Sequence, residues 1–256
     1  KEQAEGRSVS IVYSPLDALK LAQENPDQQI VFVGVGFETT TPLVAMAIKR
    51  AKALGLKNFS VFVAHKNMPG ALETIVSDPS LRIDALILPG HVSTIIGMKP
   101  YEFLAKKYGI PGVITGFEAV DVLQGVAMIM RQLHEGRAEI EIAYTRGVAP
   151  EGNQVAVAAI NEVFHTVDAT WRGLGVIPGS GYAIRPEFAE FDAFQRFEPA
   201  VEPTQEPKGC RCGDVLRGMM APNECPLFRK VCTPENPVGP CMVSSEGSCA
   251  AYFRYL

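Results

Sequence analysis

No cysteine occurs before position 210; all six lie between Cys210 and Cys249. Disulfide-dense domains are typically small and secreted, so thiols confined to the end of a long chain imply one local task, for which metal ligation is the better reading. Long apolar runs are also missing. Runs such as residues 30–35 and 85–88 fall far short of the ~20 residues of a membrane helix, so neither a bilayer span nor a membrane partner is expected. Nor is there a run of Lys and Arg: 24 basic and 28 acidic residues are spread along the chain for a net charge of -4. Without a continuous phosphate-tracking surface, nucleic acid is not expected as a partner. The stretch Lys1-Glu2-Gln3-Ala4-Glu5-Gly6-Arg7 has no apolar signal region and no initiator Met. It reads as the start of a fragment or trimmed chain, with a cytoplasmic location expected.

What is present is a globular composition, with 47% hydrophobic residues over 256 positions, enough for one large domain or two ordinary ones. From Ser8 to about Arg131, short β-branched runs alternate with helical patterns, the signature of a parallel sheet covered by helices. Strands are expected at residues 9–13, 30–35, 59–64, 85–88 and 112–115. Ser14 is placed to cap a helix beginning at Pro15, with Leu16, Leu19 and Ala22 on one face and Asn25-Pro26 ending it. Thr41-Pro42, then Val44, Ala47, Ala51 and Leu54, predict a second helix closed by Gly55. Further helices are predicted over 70–76, 100–107, 119–133 and 153–164. The fold class is therefore α/β, a parallel sheet flanked by helices in a Rossmann-like manner over residues 1–195. A Pro- and Glu-rich linker with a small cysteine-rich lobe is expected over 196–256.

Ligands of open parallel sheets bind beyond the carboxyl ends of the strands. Glu38, His65, His91 and Glu118 fall there and are expected on one rim. Taken singly, each is more often a capping or hydrogen-bonded residue than a catalytic one. Together with Thr39 and Thr40 at a helix start, where free amides and hydroxyls gather, they form a candidate binding surface for an anion or a partner's carboxylate. Gly36-Phe37-Glu38 and Gly116-Phe117-Glu118 echo each other, a match too short to establish duplication. Gly34-Val35-Gly36 fails the dinucleotide pattern because Thr39 stands where the third glycine belongs. No phosphate loop, nucleophile elbow or zinc-protease helix occurs, so no catalytic residue is assigned.

Cys210, Cys212, Cys225, Cys232, Cys241 and Cys249 offer six thiols for four ligand positions. Paired Cys-x-x-Cys knuckles are absent and no His lies among them, which disfavours zinc. Irregular thiolate-only spacing with cysteine beside proline favours an iron-sulfur cluster, with zinc second and disulfides third. Leu227, Phe228, Val231 and Met242 are placed to shield such a cluster. Two further readings remain open, a zinc-stabilised α/β partner-binding protein without redox role and an enzyme acting on a small anion at Glu38, His65 and His91.

Cys212-Gly213-Asp214-Val215-Leu216, Cys225-Pro226-Leu227-Phe228 and the run from Pro240 through Ser244-Ser245-Glu246-Gly247 to Tyr252 resemble the HypD family of hydrogenase maturation factors. So do Gly36-Phe37-Glu38-Thr39-Thr40, Pro89-Gly90-His91-Val92-Ser93 and Trp171-Arg172-Gly173-Leu174-Gly175, which extends the resemblance over essentially the whole chain. The resemblance implies a [4Fe-4S] cluster on Cys212, Cys225, Cys232 and Cys249, with Cys210 and Cys241 spare. It also implies a non-enzymatic scaffold and redox role in building the Fe(CN)2CO group of [NiFe] hydrogenases. In that role the family works with a HypC-type chaperone and a HypE-type cyanide donor, and a transient iron carbonyl-cyanide group is held in the full-length family. An earlier domain of that family carries a Cys-Gly-Gly-His motif and a Cys-x-x-Cys pair, and neither occurs in this sequence. On this resemblance, residues 1–27 are expected to be the remnant of that preceding α/β domain, with residues 9–13 as its closing strand.

Overall fold

A computed structural model describes residues 3–200 and 207–256. Its elements in chain order are α1 (Pro15–Glu24), β1 (Ile30–Gly34), α2 (Thr41–Ala53), β2 (Phe59–Val63), α3 (Met68–Val76), β3 (Leu86–Pro89), α4 (Gly90–Ile96), α5 (Glu102–Tyr108), β4 (Gly112–Thr115) and α6 (Ala119–Glu135). They are followed by β5 (Ile140–Ile142), α7 (Gln154–Val163), β6 (Phe164–Trp171), β7 (Gly175–Ile184), α8 (Ala193–Phe197), α9 (Cys212–Leu216), α10 (Pro240–Val243) and α11 (Ser248–Tyr255). The architecture is mixed α/β with parallel sheets flanked by helices. Contacts divide the chain into two compact units. One holds Lys1–Lys66, Asn153–Thr166 and Gly181–Pro199; the other holds Asn67–Gly152, Val167–Ser180 and Ala200–Leu256.

In the first unit β1 and β2 pair in parallel, from Ile30 opposite Phe59 to Gly34 opposite Val63. The expected caps of α1 form: the Ser14 hydroxyl accepts from the Leu16 amide at 3.1 Å and Pro15 stands first, where its missing N–H costs nothing. Apolar residues at helical spacing then bury Ala18, Leu19 and Ala22 from α1 and Val44, Ala47, Ile48 and Ala51 from α2. Each large side chain so buried contributes about 1.5–3 kcal/mol. Gly55, at φ 65°, closes α2 in the left-handed conformation expected of it. Buried Asn58 ties α1 to the sheet, its side-chain amide donating to the carbonyls of Ala22, Asn25 and Gln28 at 2.8–3.0 Å.

The second unit holds a three-stranded parallel sheet, β3-β4-β5. Central β4 is buried throughout, and a core of Val76, Leu88, Tyr101, Leu104, Ile114, Ile140 and Val148 lies against the sheet. Helix α6 comes close to β4 at Gly125, where a Cβ would stand 2.2 Å from Thr115 Cγ2. Helix α3 starts at Met68 rather than Gly70 because the Asn67 side chain accepts from the Gly70 amide at 3.2 Å and caps it.

Residues 9–13 are not a strand. Ile11 is 83% exposed and Tyr13 fully so, and no described strand lies along them. Local β-propensity cannot supply a ladder partner, and without one the extended run has nothing to pair with. Of the expected linker, residues 201–206 lie outside the described residues. The sequence reading had no account of the long β6–β7 hairpin, whose residues are shared between the two units.

Candidate functional site

Four of the six candidate binding residues, Glu38, Thr39, Thr40 and His65, belong to the first unit. Glu38 follows β1 and is 1% exposed; His65 follows β2 and is 2% exposed. The His65 ring packs on Gly34, where a Cβ would stand 2.7 Å from Cε1, and on the Phe164 ring. Neither ring nitrogen of His65 has a hydrogen-bond partner among the described residues. Burial pushes its pKa down to about 4, so the imidazole is neutral at physiological pH. Burial raises the Tyr182 phenol, and the charge of Glu38 raises it further. Thr39 and Thr40 are exposed, but the Thr40 hydroxyl donates back to the Phe37 carbonyl at 3.1 Å, as does that of Thr41 at 2.8 Å. Those two hydroxyls are turned onto the backbone.

His91 and Glu118 belong to the second unit. Exposed His91 opens α4 after β3, its ring centroid 4.5 Å from that of Phe117. Glu118 caps α6 after β4 and lies 3.3 Å from Arg146. The stronger partner of Arg146 is one the sequence reading missed: Asp121 takes its guanidinium in a two-pronged pair at 2.6 Å and 2.6 Å. That hydrogen bond holds the Asp121 carboxyl below its usual range. The candidate surface therefore divides between strand ends of two separate sheets. The glycine echo has a local cause, since each glycine clears a polar side chain of the next helix. A Cβ on Gly36 would meet Thr40 Oγ1 at 2.4 Å, and one on Gly116 would meet Asp121 Oδ2 at 2.0 Å.

The cysteine-rich segment folds into a lobe of short elements within the second unit. Cys212 opens α9, Cys225 follows a 3-10 turn over Pro222–Glu224, Cys241 lies in α10 and Cys249 in α11. Cys232 sits in a turn where its amide donates to Leu227 O at 3.0 Å and the Arg229 amide donates to Cys232 O at 3.2 Å. Arg229 adopts φ 57° there, with its guanidinium over the rings of Phe228 and Phe253. A cavity forms among these elements, walled by Cys210, Cys212, Cys225, Cys232 and Cys249 with Leu227, Phe228 and Met242. Cys241 does not border it. All six thiols are free of disulfides, the Cys210 and Cys212 sulfurs standing 3.4 Å apart. Phe228 and Met242 are buried in the lobe and Leu227 packs against it, whereas Val231 is 52% exposed and shields nothing.

Burial pushes the Cys210 thiol up to about 11 and Cys249 to about 12, while Cys212 is raised chiefly through its hydrogen bond with Cys241. The same hydrogen bond lowers Cys241. Without metal the raised thiols Cys210, Cys212 and Cys249 are neutral, and those of them that ligate a metal must release their protons on loading. The Val238 amide donates to Cys232 Sγ at 3.4 Å, the kind of contact that stabilises a thiolate ligand. Gly239 packs so closely that a Cβ there would stand 2.5 Å from Cys210 Sγ and 2.6 Å from Cys212 Sγ. Among the described residues no group of three or more His, Cys, Asp and Glu side chains is gathered to hold a metal ion. The thiols ring a cavity instead.

Fold and site together define an α/β protein with a thiol-rich terminal lobe. The whole of residues 1–256 matches the family HypD, described as the hydrogenase formation hypA family. The chain is 50% identical to the hydrogenase expression/formation protein HupD of Azotobacter chroococcum mcd 1 and 47% identical to the hydrogenase maturation factor HypD of Cupriavidus necator. Both alignments take in 100% of this chain and 69% of the relative. Identity to the hydrogenase maturation factor HypD of Escherichia coli K12 is 45%, over 99% of this chain and 68% of that one. The chain belongs to the HypD family, and its work is that of an accessory factor in hydrogenase maturation. Among the described residues no helix is long and apolar enough to cross a membrane.

Proposed function

We propose that the lobe holds a [4Fe-4S] cluster on Cys212, Cys225, Cys232 and Cys249 and that the chain serves as a cytoplasmic scaffold and redox protein for assembly of the Fe(CN)2CO group of [NiFe] hydrogenases. The observation that carries this reading is the cavity bordered by all four of those thiols, with Cys241 outside it and an apolar wall of Leu227, Phe228 and Met242. Thiols spread around a cavity suit a polynuclear cluster, whose ligands bind different irons, better than a single zinc, whose four ligands close on one point at about 2.3 Å. When bound, such a cluster supplies one electron at a time. The protein's own part is to fix the four sulfurs, donate the Val238 amide to Cys232 and keep water away with the apolar wall.

A HypC-type chaperone and a HypE-type cyanide donor are the partners this reading assigns. The transient iron carbonyl-cyanide group is cargo, and Glu38, Thr39, Thr40, His65, His91 and Glu118 are the residues proposed to meet cargo or partner. A Rossmann-like arrangement over 1–195 and a linker-plus-cluster region over 196–256 complete it. Purification without oxygen followed by iron, sulfide and zinc analysis tests the reading. Iron and sulfide in equal amounts with a broad visible band bleached by dithionite are expected. Stoichiometric zinc without sulfide would replace it with the zinc-stabilised binding protein.

A further inference from the structure

A cleft separate from the thiol cavity opens beside it, lined by Gly173, Gly175, Cys210, Arg211, Cys212 and Arg217 among others. Cys210, Arg211 and Cys212 border both, so the cleft reaches the cavity's thiols from the solvent side. The cavity's other walls include Val215, Leu227, Phe228 and Met242, and the lobe packs Tyr252 and Phe253 against them. That side is closed by apolar bulk. On the cleft side three glycines join the lining, and the tip of the β6–β7 hairpin lies on α9 so closely that a Cβ on Gly213 would stand 2.5 Å from Gly173 O. Gly173 and Gly175, at φ 85° and 78°, carry no side chains to hold a visitor away.

The charge around this opening is positive. Arg211 pairs with Asp214, and Arg217 pairs with Asp214 and with Asp78 at 2.9 Å, so two carboxylates face two guanidiniums. Exposed Arg172 at the hairpin tip is an additional cation. It donates to Val238 O at 3.4 Å and makes no ion pair among the described residues. Exposed Lys208 lies two residues before Cys210.

We propose that this cleft is the docking surface for a small acidic protein carrying one electron at a time. The proposal rests on the cluster reading above. The exposed cations Arg172 and Lys208 beside this opening draw in a negatively charged carrier, and the glycines at the hairpin tip let its surface come close to Cys210 and Cys212. The step transfers one electron from the carrier, which is oxidised, to the cluster, which is reduced; no bond forms and no proton moves.

The test follows cluster bleaching by stopped flow in the anaerobically reconstituted full chain. It uses flavodoxin hydroquinone as the acidic carrier and methyl viologen radical cation as the small, positively charged reductant. Arg172→Glu and Arg211→Glu are compared with Arg254→Glu, an exposed reversal on α11 outside the cleft lining. At low ionic strength the two cleft variants are expected to slow flavodoxin by about ten-fold or more, with no slowing of viologen, and the wild-type flavodoxin rate is expected to fall as salt rises. Equal slowing by Arg254→Glu, or unchanged rates in the cleft variants, would overturn the docking surface. Iron and sulfide are measured on every sample. A wild-type chain without cluster overturns the cluster reading and this proposal together, whereas a full cluster with unaffected rates overturns this proposal alone. Should Arg211→Glu lose the cluster, Arg172→Glu, outside the thiol lining, decides the matter.

Discussion

Replacing Gly239 with alanine places a methyl carbon 2.5 Å from Cys210 Sγ and 2.6 Å from Cys212 Sγ. Non-bonded heavy atoms rest about 3.5–4.0 Å apart, so the sulfurs or the loop must retreat by roughly 1 Å. Overpacking of that kind costs about 1–3 kcal/mol. Its effect on metal loading is larger, because ligand distances tolerate about 0.2 Å and Cys212 is one of the four proposed ligands. Gly109→Ala is the control: Gly109 also lies in the second unit, at φ 66°, with nothing within 4 Å of its added Cβ. It should cost about 1 kcal/mol through backbone strain and leave the cluster intact. The assay is iron and sulfide per chain after anaerobic reconstitution, alongside a urea midpoint. Gly239→Ala is expected to lower iron content at least ~2-fold where Gly109→Ala does not. Full iron, an unchanged spectrum and an unchanged midpoint in Gly239→Ala would refute the steric reasoning.

Cys225→Ser and Cys249→Ser are expected to abolish the proposed cluster, while Cys241→Ser retains it, because Cys241 does not border the cavity; visible absorption after reconstitution checks this. Asn58→Ala leaves three carbonyls without their donor and is expected to cost about 2–3 kcal/mol in urea unfolding. His65 is neutral in the fold, and its pKa is lowered from the ordinary 6.5 to about 4, so its contribution is fully present above pH 6.5 and is lost as pH falls toward 4. The loss amounts to about 3 kcal/mol, and His65→Gln should flatten unfolding free energy across that window. An equally steep profile in the variant would contradict the burial argument.

The elements legible in the sequence are those whose signals are local. Ser14, Pro15 and Asn25 bracket α1, and Thr41-Pro42 and Gly55 bracket α2, because caps act within a turn. The segment over 9–13 misled because strand formation depends on a partner that a β-branched run does not reveal. Strand-end residues were legible one by one, but the division of β1–β2 from β3–β4–β5 is a matter of which strands pair, so that Glu38 and His65 follow strands of one sheet and His91 and Glu118 strands of another was not legible. The Asp121–Arg146 pair joins residues 25 apart and left no local signature. Within the lobe the cysteines announced themselves by type. The clearance at Gly239 and the exposure of Val231 could not be read, because both depend on how short helices pack.

The central claim is a [4Fe-4S] cluster in the cysteine lobe. Its most direct test is the electron paramagnetic resonance spectrum of the anaerobically reconstituted, dithionite-reduced chain, with spins counted against iron. The account predicts a fast-relaxing spin-one-half signal near one spin per four irons, absent from Cys225→Ser. A reduced protein with no such signal, or one whose signal survives loss of Cys225, would contradict it.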